Sequence, residues 1–149
     1  MAEQLFFEDF KIGDTFSSPP RTLDEPAFLA FARLTGDDHP IHYDLDYCRA
    51  RGFPERLAHG LLTTSLTVLG ASDLAPRIHD SLIAFLDHTH RLLSPVFLGD
   101  TLTPSLAVHE LKPQHTTGVL TLRATLHNQR NEAVLEGEHR YLLKLRKPL

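Results

Sequence analysis

The segment from Gly60 to Ser72, GLLTTSLTVLGAS, contains no charged residue, and this constrains the fold more than any other stretch of the chain. Its polar members are small hydroxyl residues, which can hydrogen-bond back to the carbonyl groups of their own helix. A helix on a protein surface carries a charged face, so a helix without one is buried on nearly all sides. The run is also long for a strand and lacks two-residue alternation. We therefore predict a central buried helix over residues 60–72.

Beyond Pro76, apolar and polar residues alternate with a period of two, which is typical of β-strands. Four stretches show this alternation: 81–92, 100–111, 116–128 and 132–146. Turn-forming residues separate the stretches, and four sequential strands with short connections predict an antiparallel meander. When one face of a sheet is exposed to solvent, another element must pack on the opposite, apolar face. We therefore expect an α+β fold in which a curled antiparallel sheet wraps around the central buried helix.

The first half of the chain is predicted to contain short elements. Residues 14–22 indicate an edge strand that is interrupted by two prolines. Asp24 is positioned to cap a helix that ends at Gly36. A second short helix, capped by Asp44 or Asp46, follows.

Composition limits the class of protein. The 149 residues carry a net charge of -4, which argues against a general electrostatic grip on nucleic acid or on an anionic membrane. Their number and their 42% hydrophobic content suit one globular domain over 1–149. A single cysteine, Cys48, excludes an internal disulfide framework. No apolar run is long enough to span a membrane and no secretory signal is visible, so we expect a cytoplasmic protein.

The segment from Thr35 to His42, TGDDHPIH, holds two carboxylates and two imidazoles. Pro40 stiffens this loop, and a bend there could aim the side chains of Asp37 and His42 at one point. A carboxylate beside an imidazole is a workable acid/base pair near neutral pH. The alternative is that Asp37 caps a turn and that the histidines are surface loop residues.

Ala58-His59-Gly60 stands at the start of the predicted central helix. The first N–H groups of a helix have no internal acceptor and carry the positive end of the helix dipole. A glycine lets a ligand approach the backbone closely, so the Gly60 N–H can polarise a carbonyl oxygen, as in an oxyanion hole. Alternatively, the small residue only admits the helix into the core.

Two further groups of residues have weaker functional interpretations. His88 and His90 share one strand face, as metal ligands can, but no third ligand is apparent and a half-exposed strand face is the simpler interpretation. A basic cluster could meet phosphate groups or could simply be solvated; its members are Arg49, Arg51 and Arg56.

With these residues in view, the chain resembles the MaoC-like dehydratases, a hotdog-fold family that includes the (R)-specific enoyl-CoA hydratases. The resemblance covers most of the chain and rests on four short motifs in register: 35–42, Gly52-Phe53, 59–62 and 93–102. The family signature is close to Thr-Gly-Asp-x-Asn-Pro-x-His, and His39 stands here in place of the Asn. An imidazole can replace an amide as a hydrogen-bond donor, but it is bulkier and it titrates.

The resemblance implies the hotdog fold and hydration of a trans-2-enoyl thioester, or the reverse dehydration of a 3-hydroxyacyl thioester. It suggests Asp37 as the base, His42 as the orienting group and proton partner, and the Gly60 N–H as the oxyanion donor. It places the substrate against five further residues: His39, Pro40, Phe53, His59 and Leu61. The substrate would be an acyl-CoA or acyl-ACP, with no metal or redox cofactor. We expect a homodimer or higher homo-oligomer, with an acyl tunnel near the subunit boundary.

Two other functions fit the same residues. A hotdog thioesterase would use the same carbonyl-polarising helix start but would attack the thioester carbon. A non-catalytic acyl-CoA-binding module would bind the ligand without either reaction. Loss of the conjugated-thioester absorbance without free thiol would indicate hydration, whereas thiol release would indicate hydrolysis.

Overall fold

The structure, a computed structural model, describes residues 1–147 of the chain. Its helices and strands, in chain order, are β1 (Thr15–Ser17), β2 (Arg21–Thr22), α1 (Glu25–Thr35), α2 (Pro40–Tyr43), α3 (Leu45–Arg49), α4 (Gly60–Ser65), β3 (Leu82–Leu92), β4 (Thr101–Pro113), β5 (Thr117–His127) and β6 (Ala133–Lys144). Within these residues, no helix is both long enough and apolar enough to cross a lipid bilayer.

The six strands form an antiparallel sheet in the order β1-β4-β5-β6-β3, with β2 paired to β4. The predicted meander is confirmed for β4, β5 and β6, which follow one another through short turns. It is wrong for β3, which pairs with β6. Residues 93–100, which we call the crossing segment, therefore carry the chain from β3 at one edge of the sheet to β4 near the other.

The inner face of the sheet carries the hydrophobic core in the predicted two-residue pattern. On β5 the exposed Arg123 lies among residues whose side chains are fully buried: Leu120, Leu122, Ala124 and Leu126. Burial of one such leucine stabilises the fold by roughly 1.5–3 kcal/mol. Phe28 of α1 and Leu62 of α4 pack in one cluster with Leu102 of β4. The predicted curled antiparallel sheet with a helix packed against it is thus confirmed.

The central helix is shorter than predicted. α4 ends at Ser65, and the rest of the predicted helix forms a turn followed by a 3-10 turn over Leu69–Ala71. The Thr67 hydroxyl donates to the Thr64 carbonyl at 2.8 Å. Such back-bonding competes with the helical hydrogen bonds, and β-branched residues are in addition poor helix formers.

The prediction that this segment is buried on nearly all sides is also wrong for the single chain. Leu62 and Thr63 face the core, but Leu61 is 72% exposed and Val68 is 51% exposed. Strand β3 likewise exposes apolar side chains that its alternation predicts to be half covered: Leu82, Ile83, Phe85 and Leu86. The uncharged segment is therefore covered by the sheet on one side and is exposed on the other.

The predicted caps in the first half are confirmed. Asp24 accepts a hydrogen bond from the first turn of α1 at 3.0 Å, and Gly36 ends that helix in the left-handed conformation at a φ of 79°. Asp44, rather than Asp46, caps α3 at 3.0 Å. The predicted edge strand is divided into β1 and β2 at its prolines. These features were predictable because each depends on a few neighbouring residues.

Candidate active site

The loop between α1 and α2 places the side chains of Asp37 and His42. The Asp37 carboxylate accepts the His39 N–H at 3.4 Å. His39 Nδ1 then accepts the Ile41 N–H at 3.2 Å, which caps α2. Pro40 occupies the first helical position, where no N–H is needed. The sequence therefore folds locally into a bend that carries His42 on a single helical turn.

Asp37 and His42 converge on one space. Asp37 Oδ2 lies 3.8 Å from His42 Nε2, and the side chains are 43% and 12% exposed. This separation is too long for a direct hydrogen bond, but it lets one water oxygen lie about 2.8 Å from both atoms. His42 Nδ1 lies 2.7 Å from the Leu57 carbonyl oxygen. Because a carbonyl only accepts, the proton of neutral His42 is on Nδ1 and a lone pair is free on Nε2.

His59 packs against the His42 ring; we call Asp37, His42 and His59 the loop cluster. The two imidazoles stack with their centroids 3.9 Å apart. Phe28 and Phe31 contact the His59 ring at centroid distances of 5.3 and 4.7 Å. Only 1% of His59 is exposed, so burial, and then the neighbouring His42, lowers the pKa of His59. The ring thus lies in the core and fixes the orientation of His42.

Tyr43 determines the tautomer of His59. Its hydroxyl donates to the Phe28 carbonyl at 2.9 Å and also lies 2.9 Å from His59 Nε2. Because the phenol has one proton, neutral His59 must donate from Nε2. Its Nδ1 is a buried lone pair that no other atom of residues 1–147 hydrogen-bonds. Burial, and then the negative charge of Asp37, raises the pKa of Tyr43, which keeps the phenol protonated.

Gly60 lies beside an apolar groove of about 320 Å³. The groove is lined by Phe53, Leu57, Ala58, Gly60, Thr63, Leu92, Leu93, Ser94, Pro95 and Val96. A Cβ atom on Gly60 would lie 2.9 Å from Leu92 Cδ1, so a larger residue would push this wall aside. Among residues 1–147, no acceptor takes the Gly60 N–H, as expected for the first N–H of a helix.

The predicted substrate contacts lie in different surroundings. Phe53 lines the groove. Leu61 lines a second cavity of about 360 Å³, which shares Gly60 with the groove. His39 is exposed at the start of α2, as is Pro40. His59, by contrast, is buried against His42 rather than lying on an open surface.

The crossing segment holds the chain that leads into α4. The Ala58 N–H donates to the Val96 carbonyl at 2.8 Å. The buried Asp100 carboxylate accepts a backbone N–H of the crossing segment at 2.9 Å, which fixes its turn. The motif over 93–102 therefore anchors Ala58, two residues before Gly60.

Comparison with known proteins identifies the family. The family model of the MaoC-like domain matches residues 9–129. The chain belongs to the MaoC-like dehydratase family. The (R)-specific enoyl-CoA hydratase of Rhodospirillum rubrum is 30% identical over 133 residues, which are 89% of this chain and 88% of that protein.

Solved structures of MaoC-like and hotdog proteins agree with this assignment. The monoamine oxidase regulatory protein from Archaeoglobus is 33% identical, with a TM-score of 0.89 and 97% of each chain covered. A Mycobacterium tuberculosis protein with a double hotdog fold is 28% identical, with a TM-score of 0.82, over 98% of this chain and 47% of that one. The expected hotdog fold is confirmed, and the protein is a hydro-lyase of the hydratase and dehydratase class.

The departure of this MaoC-like dehydratase from the signature preserves a local role. His39 Nδ1 accepts the Ile41 N–H as the cap of α2. The side-chain oxygen of an Asn accepts such a hydrogen bond equally well. The exposed His39 ring also contacts the edge of Tyr47, with centroids 5.8 Å apart. His39 thus replaces the amide as a cap and adds an aromatic contact.

The loop cluster is the one group of donor atoms among residues 1–147 with the spacing of a metal site, since its atoms lie within 4.8 Å of one another. The His42 and His59 rings are stacked at 26°, however, so their lone pairs lie in two nearly parallel planes. Tetrahedral zinc needs lone pairs that converge on the ion. The arrangement therefore suits a bound water and a proton better than a metal ion.

The three arginines lie in different surroundings. Arg56 is largely buried and pairs with Glu25. The Arg51 guanidinium lies over the Tyr47 ring, 3.4 Å from its centroid. Arg49 is exposed. Arg49 and Arg51 are therefore the members that remain at the surface.

Two residues that support the site, Tyr43 and Leu57, were not predicted from the sequence. Each hydrogen-bonds a histidine of the loop cluster that lies 15 or 16 residues away in the chain. A pattern of neighbouring residues does not predict a contact over that separation. The only local signal is that Tyr43 directly follows His42.

Proposed function

We propose that this chain adds water to a trans-2-enoyl thioester, or removes it from the 3-hydroxyacyl thioester, at Asp37 and His42 beside Gly60. The observation that carries the proposal is the 3.8 Å separation between Asp37 Oδ2 and His42 Nε2, two acceptors that face one water-sized space. The Rhodospirillum rubrum relative is an (R)-specific enoyl-CoA hydratase. That name supports the same reaction here, with a (3R)-hydroxyacyl product.

The pair prepares a water molecule for attack on C3. One O–H donates to Asp37 Oδ2 and the other to His42 Nε2, so an oxygen lone pair is left for the substrate. As the C3–O bond forms, Asp37 takes the first proton and the C2–C3 π electrons move toward the thioester oxygen. The protonated carboxyl then delivers its proton to C2 from the same side. The net change is the addition of one water, and His42 orients that water throughout.

The Gly60 N–H stabilises the negative charge that develops on the thioester oxygen. It is the first N–H of α4, and no acceptor among residues 1–147 takes it. A preorganised backbone donor of this kind needs no charged side chain, and loss of one donor typically slows a reaction by about 10²-fold or more. His59, which directly precedes Gly60 in the chain, stacks on His42 with the ring centroids 3.9 Å apart, and this contact links the Asp37 and His42 pair to the start of α4.

The acyl group is proposed to lie in the apolar groove, which Phe53, Leu57 and Leu92 line beside Gly60. The carrier, coenzyme A or acyl carrier protein, would stay outside, where the exposed Arg49 and Arg51 offer contacts to phosphate. The reaction is redox-neutral and uses an acid/base pair. It therefore requires neither a redox cofactor nor a metal ion.

Crotonyl-CoA, mixed with the purified protein, tests the proposal. Hydration removes the conjugated-thioester absorbance and releases no thiol, which is the expected result. Thiol release would instead identify a thioesterase. Binding of the ligand without either reaction would identify a non-catalytic module, and both of these outcomes would contradict the proposal.

We also propose that residues 1–149 act as one domain that pairs with a second copy through β3. Within residues 1–147, no strand pairs with the outer edge of β3. Its apolar side chains are 39–52% exposed: Leu82, Ile83, Phe85 and Leu86. An unpaired edge with exposed apolar residues is a natural pairing surface. A partner there would also cover Leu92, which lines the groove and is itself 56% exposed.

The mass in solution, measured by light scattering, tests the pairing. We expect a dimer for the wild type and a monomer for the double variant Ile83→Glu, Leu86→Glu. Leu34→Glu is the matched control, because Leu34 is 84% exposed and belongs to α1 rather than to β3. A monomeric wild type, or a dimer that survives both β3 substitutions, would contradict the pairing.

A further inference from the structure

Three histidines on β3 and β6 form a hydrogen-bonded chain, which we call the sheet network: His88, His90 and His139. His88 Nδ1 lies 2.8 Å from His90 Nδ1, and His90 Nε2 lies 2.8 Å from His139 Nε2. The last member, His139, also contacts Tyr141 and Thr67, with Nδ1 at 3.3 Å from the phenol oxygen and Nε2 at 3.1 Å from Oγ1. The proposed reaction uses none of these residues.

Thr67 sets the direction of every hydrogen bond in the network. Its hydroxyl donates to a carbonyl of its own turn at 2.8 Å, so its oxygen accepts from an imidazole. His139 Nε2 is nearer to that oxygen than His90 Nε2, at 3.1 against 3.5 Å, and therefore carries the proton. His139 Nδ1 then accepts from Tyr141. The same His139 N–H is shared with His90 Nε2 at 2.8 Å, so His90 accepts there and donates from Nδ1 to His88.

This single set of tautomers requires neutral rings. An added proton on His88 or His90 would turn a second N–H toward the N–H of its neighbour, whereas His139 is kept neutral by burial. Burial, and then the neighbouring His90 and His88, lowers the pKa of His139 to about 4. On β5, the residue opposite His139 is the apolar Leu122. The charged groups beside the network on β3 and β6 pair elsewhere: Asp87 with Arg140, and Glu138 with His109 of β4.

The network is the polar link between α4 and the sheet. Within residues 1–147, the side-chain hydrogen bonds from segment 60–67 to the sheet all run through Thr67 Oγ1. Other hydroxyls of the segment bond carbonyls within it: Thr64 to Gly60, and Ser65 to Leu62. The segment contains no charged residue, so no ion pair can replace the Thr67 bond.

We propose that His139 is a positioning residue for the reaction, which acts through Thr67 to hold α4 so that the Gly60 N–H meets the thioester oxygen. The inference rests on the proposed function, since that is where Gly60 acts on the substrate. His139 itself touches no substrate. His88 and His90 contribute by fixing its tautomer.

Two amide substitutions of His139 test the link. His139→Gln places an amide N–H where Nε2–H now lies, whereas His139→Asn has the same chemistry but is one methylene too short to reach Thr67. We expect the Gln variant to keep kcat within about threefold and the Asn variant to lose about tenfold at unchanged KM. His109→Gln, an exposed imidazole on β4, is the matched control. Equal kcat values for the Gln and Asn variants would overturn the inference.

The Gly60 amide signal in a heteronuclear NMR spectrum gives a readout that needs no activity. Thr67→Val removes the acceptor, and Thr67→Ser keeps it. We expect the Val variant, but not the Ser variant, to shift the Gly60 signal. An unmoved signal in Thr67→Val would overturn the inference even if the wild type hydrates crotonyl-CoA. If instead Thr67→Val shifts the Gly60 signal but the wild type does not hydrate crotonyl-CoA, the proposed function is overturned and the link to α4 remains.

Discussion

The loop cluster and the sheet network are built from similar side chains but differ in where their nitrogen atoms point. Each has two or more histidines in contact, with a tyrosine beside them: Tyr43 in one and Tyr141 in the other. The loop cluster contains a carboxylate, Asp37, that lies 3.8 Å from a free imidazole nitrogen. The sheet network contains no carboxylate, and its imidazoles hydrogen-bond one another at 2.8 Å.

The difference shows how surroundings assign a role to an imidazole. The Leu57 carbonyl takes the Nδ1 proton of His42, which leaves Nε2 open toward Asp37 and the space for water. In the sheet network, the contacts between rings use the nitrogens of His90 and His139, so these atoms cannot meet a reactant. A free lone pair beside a carboxylate suits chemistry, whereas a closed chain of neutral rings suits support.

The largest expected effect is the loss of the Asp37 carboxylate. Asp37→Asn keeps the shape of the side chain but cannot take a proton from water, so kcat for crotonyl-CoA hydration should fall about 10²-fold or more. Circular dichroism would verify that the fold is kept. Asp38→Asn, at the exposed neighbouring carboxylate, should change kcat by less than about twofold. Near-normal turnover in Asp37→Asn would remove Asp37 from the mechanism.

Acid should destabilise the protein through the sheet network. Burial lowers the pKa of His139 in the folded chain to about 4, against 6.5 for a solvent-exposed histidine. Between these values the unfolded chain binds a proton that the folded chain does not, so stability falls as the pH falls. The full difference is roughly 3 kcal/mol, and it is complete below the folded pKa. Urea unfolding across this range measures it.

His139→Gln isolates this contribution because glutamine does not titrate. We expect a smaller loss of stability on acidification for His139→Gln than for the wild type. Identical pH dependence in the wild type and His139→Gln would show that His139 is not held neutral.

A smaller effect on kcat is expected when the hydrogen bond that supports His59 in the loop cluster is removed. Tyr43→Phe removes the acceptor for His59 Nε2–H, which leaves both nitrogens of a buried ring unpaired. One lost buried hydrogen bond should lower kcat by about threefold to tenfold through misplacement of His42. Tyr47→Phe is the matched control, since its ring contacts His39 but its hydroxyl bonds no histidine. Unchanged kcat in Tyr43→Phe would mean that His59 needs no partner to orient His42.

The smallest effect on activity is expected at His39, which stands in place of the Asn of the family signature. His39→Asn should preserve or raise activity, because an Asn oxygen can cap α2 as His39 Nδ1 does. Steady-state kinetics with crotonyl-CoA measures the outcome. A collapse of turnover would show that the His39 imidazole has a role beyond the cap.

Local features of the fold were predictable from the sequence, and long-range ones were not. The alternation on β5 and the caps at Asp24 and Gly36 depend on neighbours in the chain. The pairing of β3 with β6 depends instead on the route of the crossing segment, which periodicity does not report. The end of α4 at Ser65 reflects competition between hydroxyl back-bonding and helix formation, which an absence of charge cannot reveal.

The same limit applies to the site. Asp37, His42 and Gly60 stand in recognisable motifs, so the convergence of Asp37 and His42 could be predicted. The catalytic roles of all three stay predictions. The supports from Leu57 and Tyr43, and the link from Thr67 to His139, join residues that lie 15 to 72 positions apart. Only the packed chain shows that these hydrogen bonds fix the tautomers on which the chemistry depends.

A double-mutant cycle on Asp37→Asn and His42→Ala tests the central claim most directly, because that claim is that both side chains act on one water. Crotonyl-CoA hydration would be measured for each single variant and for the double variant, with folding verified for all three. We predict that the double variant is about as slow as the slower single variant, since either change already removes the shared water. Losses that multiply in full would contradict the account, because they would mean that the two side chains act independently.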